Sequence, residues 1–324
     1  MARTPRLLVL DPVRPEALAE LGRDLEVVVR LKPPQDELAA LVKEVDPDAV
    51  VVRSGVRLTG EVIRSAPRLR VIGRAGSGTD NIDVAVAREL GIRVFTLHGV
   101  SANAVAELAL GLALSVTRNL ALADRQIRAG LWRKPELAGP ELGGHTLGVV
   151  GLGPIGSRLA ELARPLRMRV LASVASPTAR RTEELAAEDI ELVPLDRLLR
   201  ESDVVCLALP LNDATRHLIS GPELAAMGPD AYLVNVARGG VVDEQALYEA
   251  LSAGVIAGAA LDVHAVEGGV SPLAELDNVV LTPHIGATTH DAQHRIGTLL
   301  VSRLREELAA AGVLARPLTS EAVK

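Results

Sequence analysis

The stretch Thr146-Leu-Gly-Val-Val-Gly-Leu-Gly-Pro-Ile-Gly-Ser-Arg-Leu-Ala-Glu-Leu-Ala163 decides how the chain is read. Residues 147–150 are a short apolar run of buried-strand type. Gly151, Gly153 and Gly156 follow as G-x-G-x-x-G, and from Ser157 the apolar spacing turns helical. A glycine pattern alone is a common turn; set after a strand and before a helix it is a dinucleotide-binding fingerprint. Gly151 allows the tight turn, Gly153 lets the backbone approach a pyrophosphate, and Gly156 lets the helix sit close to the strand. Unpaired N–H groups at the helix start, with the helix dipole, suit phosphates.

Outward from this stretch, short β-rich runs alternate with helical patterns. Residues 7–10, 27–29, 49–52, 70–72 and 93–95 read as one series of strands, with amphipathic stretches at 15–22 and 36–45. A second series covers 147–150, 169–172, 204–208, 232–236, 258–262 and 279–282. The alternation is the mark of mostly parallel sheets covered by helices. The expected fold is therefore α/β, with two Rossmann-like doubly wound domains and a cleft between them. The expected division is residues 1–98 with 287–324 as a flavodoxin-like substrate-binding domain, and 99–286 as the dinucleotide-binding domain. A helix at 292–311 is expected to pack back on the first domain. Residues 102–116 are almost wholly apolar, which predicts a helix buried between domains or, preferably, between subunits.

Composition bounds the function. The 324 residues exceed what one core usually supports. Apolar residues make up 48%, but with one Phe, one Trp and two Tyr there is no aromatic surface for stacking bases. A net charge of −6 also argues against nucleic acid as a partner. The single Cys206 excludes an internal disulfide, and its apolar neighbours read as a buried thiol. No His, Cys or carboxylate spacing suggests a metal site. The N-terminus lacks a signal-peptide core, and the longest apolar run is broken by Glu107, so a cytoplasmic protein without membrane contact is expected.

Several ordered motifs resemble the D-isomer-specific 2-hydroxyacid dehydrogenases, most closely their phosphoglycerate dehydrogenase branch. They are Gly73-Arg-Ala-Gly-Ser-Gly-Thr-Asp-Asn-Ile-Asp83, Gly151-Leu-Gly-Pro-Ile-Gly156, Val234-Asn-Val-Ala-Arg-Gly-Gly-Val-Val-Asp-Glu244, Ala259-Ala-Leu-Asp-Val263 with Glu267, and Thr282-Pro-His-Ile-Gly286. The length resembles members without C-terminal regulatory domains. The resemblance implies an NAD(P)-dependent oxidoreductase, transferring hydride between a nicotinamide and C2 of a small 2-hydroxy or 2-keto acid. It also implies a homodimer formed through the 102–116 region. A glyoxylate or hydroxypyruvate reductase would use the same residues. From another class, a non-catalytic nicotinamide-sensing regulator could share the scaffold.

Chemistry on a 2-keto acid needs a cation for the carboxylate, an acid/base for the carbonyl oxygen and a group to tune that base. Arg238 suits the first as a bidentate fork. His284 suits the second, since imidazole titrates near neutrality. Glu267 suits the third, because a paired carboxylate favours imidazolium. Singly, these are a capping arginine, a turn histidine and a loop charge; in family order and motif they read as catalytic. The resemblance places Asp262 on the nicotinamide carboxamide, with further cofactor contacts at Pro154, Ile155, Pro210, Thr215 and Ala237. It places Arg53, Ser54, Arg74, Gly76 and Ser77 on the substrate. Backbone N–H groups around Gly76 suit a carboxylate, and Arg53 and Arg74 either favour a dianionic substrate or are ordinary surface arginines.

Departures from the family pattern also carry meaning. The acid that binds the adenine ribose is replaced by Val174, with Ala175 next, while Ser176, Arg180 and Arg181 follow. That leaves NAD and NADP both open. Ser101 and Ala104 replace an asparagine and a serine, Gly268 replaces a proline, and His264 stands where an aromatic residue is usual.

Overall fold

The computed structural model describes residues 3–315. The described chain divides into two compact units, residues 3–101 with 290–315, and Ala102–Thr289. In the first unit, β1 (Arg6–Val9), β2 (Glu26–Val29), β3 (Ala49–Val52), β4 (Val71–Arg74) and β5 (Arg93–Thr96) form a parallel sheet in the order β2-β1-β3-β4-β5. Buried parallel strands are apolar on both faces, and β3 (Ala-Val-Val-Val) is buried throughout. Successive side chains serve opposite faces. Thus Leu7 and Val9 join one apolar cluster, whereas Leu8 and Leu10 join the other.

Helices α1 (Pro15–Leu21), α2 (Leu38–Val45), α3 (Gly60–Arg64) and α4 (Val84–Glu89) cover this sheet. Thr59 and Asp83 cap α3 and α4 by accepting from Val62 N and Val86 N, which satisfies donors the helices leave open. The helix expected at 292–311 runs His290–Ala310. Ile296, Leu300, Leu304 and Leu308 recur every fourth residue and bury one stripe against Leu7, Val9, Ala17 and Leu21. An Arg93–Glu307 ion pair at 2.5 Å adds a link to β5.

In the second unit, β6 (Thr146–Val150), β7 (Arg169–Ser173), β8 (Ile190–Leu192), β9 (Val204–Leu207), β10 (Tyr232–Asn235), β11 (Gly258–Leu261) and β12 (Val279–Leu281) form a parallel sheet. Its order is β12-β11-β10-β9-β6-β7-β8. The chain winds one way from β6 to β8 and the other way from β9 to β12, so β6 and β9 meet at the reversal. Both sheets are thus doubly wound, as expected. β8 was not anticipated: its three residues, Ile-Glu-Leu, form a short edge strand too brief to show a period.

Helix α5 (Ala102–Thr117) opens this unit. The sequence places its apolar surface between domains or subunits. Much of that surface is instead spent within the unit, where Ala106, Ala109, Leu112, Ala113 and Val116 pack with Val149, Leu159, Val234 and Ala260. Glu107, Gly111 and Leu114 remain exposed, as do Leu120 and Ile127 of α6 (Leu120–Arg128). No described helix is by itself long and apolar enough to cross a membrane.

Cys206 lies inside β9, 2% exposed, and burial without a compensating charge pushes its thiol up to about 12. The reactive species is the thiolate. The native protein is therefore expected to resist alkylation by iodoacetamide at pH 8, whereas protein unfolded in denaturant takes up one equivalent, as mass spectrometry reads. Rapid labelling of the native protein would show that β9 opens locally.

Candidate active site

The turn after β6 is built as its glycines require. Gly151 has φ +96°, and a Cβ there would stand 2.6 Å from the Ala208 carbonyl oxygen at the β6/β9 reversal. Gly156 lies in α7 (Pro154–Ala163), where a Cβ would overlap the Gly151 carbonyl. Gly153 differs: no heavy atom lies within 4 Å of its Cβ position, so its backbone faces open space.

That space is a cavity of about 820 Å³. Gly151, Gly153, Val174, Pro210 and Thr215 line it, together with Ser173, Thr182, Leu192, Val193 and Leu209. Thr215 braces its own loop by donating to Pro210 O at 2.7 Å and accepting from Asn212 N at 2.8 Å. Pro154 starts α7, and Ile155 packs partly into the apolar cluster beneath. Open backbone at Gly153, a helix start and an apolar slot fit a dinucleotide's phosphates and adenine. Ser176, Ala237 and Asp262 do not line the cavity.

The catalytic candidates sit past the carboxyl ends of β10, β11 and β12, three adjacent parallel strands. This is the edge where doubly wound sheets bind ligands. His284 Nδ1 and Glu267 Oε1 are 2.5 Å apart. With Nδ1–H given to the carboxylate, Nε2 is the ring atom left for chemistry. Both side chains are partly exposed, so a substrate has access.

Asp262, 1% exposed, fixes the His284 turn. Its Oδ1 accepts from Thr282 Oγ1 at 2.6 Å and from Ile285 N at 2.8 Å, while Oδ2 accepts from Gly286 N at 2.8 Å. His284 itself is left-handed (φ +54°), and its N–H donates to the Asp262 carbonyl at 2.8 Å. A non-glycine residue in that region is held there by its surroundings.

Arg238 follows β10 on a turn set by Asn235, which is fully buried. Asn235 Oδ1 accepts from Ala237 N at 3.0 Å, and its Nδ2 donates to Arg238 O at 3.0 Å. Arg238 Nη1 donates to Ala237 O at 2.7 Å. Gly239 lets this turn touch the next, since a Cβ would overlap the His264 carbonyl. His264 Nε2 reaches Thr282 O at 3.0 Å, tying the β11 loop to the His284 turn. Asn235 and Thr282 were not singled out from sequence; the one available signal was a polar residue closing an apolar strand.

In the first unit, Arg53 and Ser54 follow β3, and Arg74, Gly76 and Ser77 close β4 and the loop after it. Asp11, 1% exposed and also unanticipated, accepts from Arg53 N at 2.5 Å and from Gly55 N at 3.3 Å. Asn81 Nδ2 donates to Arg53 O at 2.7 Å. Arg53 Nη1 donates to Gln293 Oε1 at 3.2 Å, and burial lowers the guanidinium pKa, partly offset by the Asp11 charge. The Arg74 guanidinium folds over Gly76, where any Cβ would overlap it.

Fold and site together define a doubly wound dinucleotide-binding protein with a histidine–carboxylate pair. Residues 110–286 match the family model for the NAD binding domain of the D-isomer specific 2-hydroxyacid dehydrogenases. A hydroxypyruvate reductase from Thermotoga maritima is 42% identical over 308 residues, covering 94% of this chain and 98% of the relative. A D-3-phosphoglycerate dehydrogenase from Methanocaldococcus jannaschii is 40% identical over 304 residues, covering 94% of this chain but 57% of the relative. A crystal structure of a protein from Thermus thermophilus superposes with a TM-score of 0.85 at 36% identity, covering 94% of this chain and 97% of that one. The chain belongs to the D-isomer specific 2-hydroxyacid dehydrogenase family.

Asp262→Ala strands the Ile285 and Gly286 N–H groups without their acceptor. A buried unsatisfied donor costs about 1–3 kcal/mol. The variant is expected to unfold at a clearly lower temperature in calorimetry, and an unchanged midpoint would show that the turn holds without the carboxylate.

Proposed function

We propose that the chain is a nicotinamide-dependent oxidoreductase interconverting a small 2-hydroxy acid and its 2-keto acid. One observation carries this reading: the His284–Glu267 pair stands at the carboxyl edge of the sheet whose glycine turn borders the cavity. The bound nicotinamide supplies or accepts the hydride at substrate C2. His284 Nε2 gives a proton to the 2-oxygen in reduction and removes it in oxidation. Glu267 holds Nδ1, so the tautomer and the ring plane are set before substrate arrives. Arg238 grips the carboxylate through its fork and polarises the adjacent carbonyl. Asp262 belongs to the cofactor contacts of this proposal, and it also holds the turn that carries His284.

Arg53, Ser54, Arg74, Gly76 and Ser77 are proposed to recognise the substrate. Arg53 and Arg74 favour a second anionic group, hence a phosphoglycerate-like acid. A hydroxypyruvate or glyoxylate reductase is the second reading, supported by the Thermotoga maritima reductase, which aligns over 98% of its length. Arg238, Glu267 and His284 all stand in their motifs, which favours an enzyme over a regulator. A homodimer is part of the proposal. Leu120, Ile127 and Trp132 are 54%, 57% and 81% exposed, an apolar strip that a second copy would cover.

The reading is tested by NADH and NADPH oxidation with 3-phosphohydroxypyruvate, hydroxypyruvate and glyoxylate. Preference for the phosphorylated acid supports the first reading, the reverse ranking supports the second, and no turnover with either cofactor overturns both. His284→Ala is expected to lower kcat about 10²–10⁴-fold, the usual worth of a general acid/base. Arg238→Lys keeps the charge but loses the fork, and a loss of about tenfold or more in kcat/KM is expected. Light scattering at micromolar concentration should give twice the chain mass, and a monomeric mass sinks the dimer.

A further inference from the structure

The loop that follows β11 carries Glu267, and another side chain on it, His264, has no part in the proposed function. We propose that His264 is a positioning residue: its ring holds the base of this loop to the His284 turn and so keeps the Glu267 carboxylate on His284 Nδ1. The inference rests on the acid/base role proposed for His284.

The first observation is a shared acceptor. The Thr282 carbonyl receives His264 Nε2 at 3.0 Å and the His284 backbone N–H, also at 3.0 Å. A carbonyl only accepts, so the His264 ring proton in this bond is on Nε2. His284 Nδ1 meets Glu267 Oε1 at 2.5 Å, and Glu267 is three residues on from His264. The contacts therefore close a circuit, from His264 through Thr282 O to His284, across to Glu267 and back along the chain.

The second observation is how the loop is anchored. Ala265 N–H donates to Glu244 Oε1 at 2.6 Å, and the His264 carbonyl lies against Gly239. These two anchors tie the loop to the segment after β10, whereas the His264 ring ties it to the turn that carries His284. Beyond them the loop is exposed. Val266 and Val270 are 73% and 95% exposed, and Gly268 is left-handed (φ +83°) with no heavy atom within 4 Å of its Cβ position. Three residues of free chain span roughly 10 Å. A hydrogen bond tolerates only a few tenths of an ångström. Holding Glu267 on His284 thus needs a base fixed relative to that histidine, and the ring supplies it.

The third is that the ring is kept at a cost. His264 Nδ1 is buried and has no hydrogen-bond partner among the described residues. A buried acceptor without a donor is destabilising, and a phenyl ring of similar shape would avoid it. A phenyl ring cannot supply the Nε2–H that Thr282 O receives.

The test is a double-variant cycle in the full chain, read from turnover of a 2-keto acid, beside crystal structures of the variants. His264→Phe is expected to lower kcat about fivefold to tenfold, the worth of one hydrogen bond, with KM for the keto acid within about twofold. His264→Gln, whose amide can reach the same carbonyl, should recover most of that loss. His264→Asn, whose amide falls short, should show the loss without the phenyl ring, and it replaces His264→Phe if that variant does not fold. In a Glu267→Ala background the His264 substitution should change kcat less than about twofold, because no carboxylate is left to hold. In the crystal structure of the His264→Phe or His264→Asn chain, the Glu267 carboxylate should have left His284 Nδ1. A pair still in hydrogen-bond contact there overturns the proposal. A loss of kcat that persists undiminished in the Glu267→Ala background also overturns it, since His264 then acts elsewhere. Absence of turnover by the unsubstituted chain overturns the acid/base role instead, and the crystal structures still decide whether His264 sets the pair.

Discussion

The buried carboxylate of Asp262 holds the turn that carries the candidate histidine in place. Its oxygens collect Thr282 Oγ1, Ile285 N and Gly286 N, so three donors compensate a charge that would otherwise be costly away from water. Because two of those donors are backbone, the carboxylate determines the path of the chain through residues 282–286. His284 sits inside that path in a left-handed conformation, with its ring turned to Glu267. The strain is local, and the network around it over-determines the turn.

A similar device recurs at the neighbouring strand ends. Asn235 closes β10 and shapes the Arg238 turn through its own amide, and Asp11 closes β1 and shapes the Arg53 turn. In each case a short polar residue ends an apolar strand and offers its side chain to backbone N–H groups that the ladder no longer pairs. The candidate site side chains are thus one step removed from the sheets. The sheets supply rigid strand ends, the polar residues set the turns, and the turns aim Arg238, His284 and Arg53.

The cofactor side works by omission. Gly151 and Gly156 are glycine because carbonyls crowd them, whereas Gly153 has empty space around it, as expected where a ligand's phosphates come close. The cavity wall is mostly apolar, and no Asp, Glu, Lys or Arg lines it. An anionic ligand meets helix-start N–H groups in a setting with little competing charge.

Composition and pattern by themselves determined the α/β class, the two strand series, the glycine turn and the residue types able to act on a 2-keto acid. These signals are local: periodicity of 2 or 3.6, turn chemistry, and motifs of fixed spacing. The three-residue β8 escaped because an edge strand so short has no period to detect. The apolar character of α5 showed burial but not the partner, and only the folded chain shows Val149, Leu159, Val234 and Ala260 against it. Likewise, the sequence shows Asp262 and Asn235 only as polar residues at the ends of apolar strands. Tertiary structure alone reveals their acceptors turned to the Thr282–Gly286 segment and the Arg238 turn, because those bonds join residues brought together by β10, β11 and β12. A sequence records which groups exist, whereas which donor meets which acceptor is settled by the packing of distant strands.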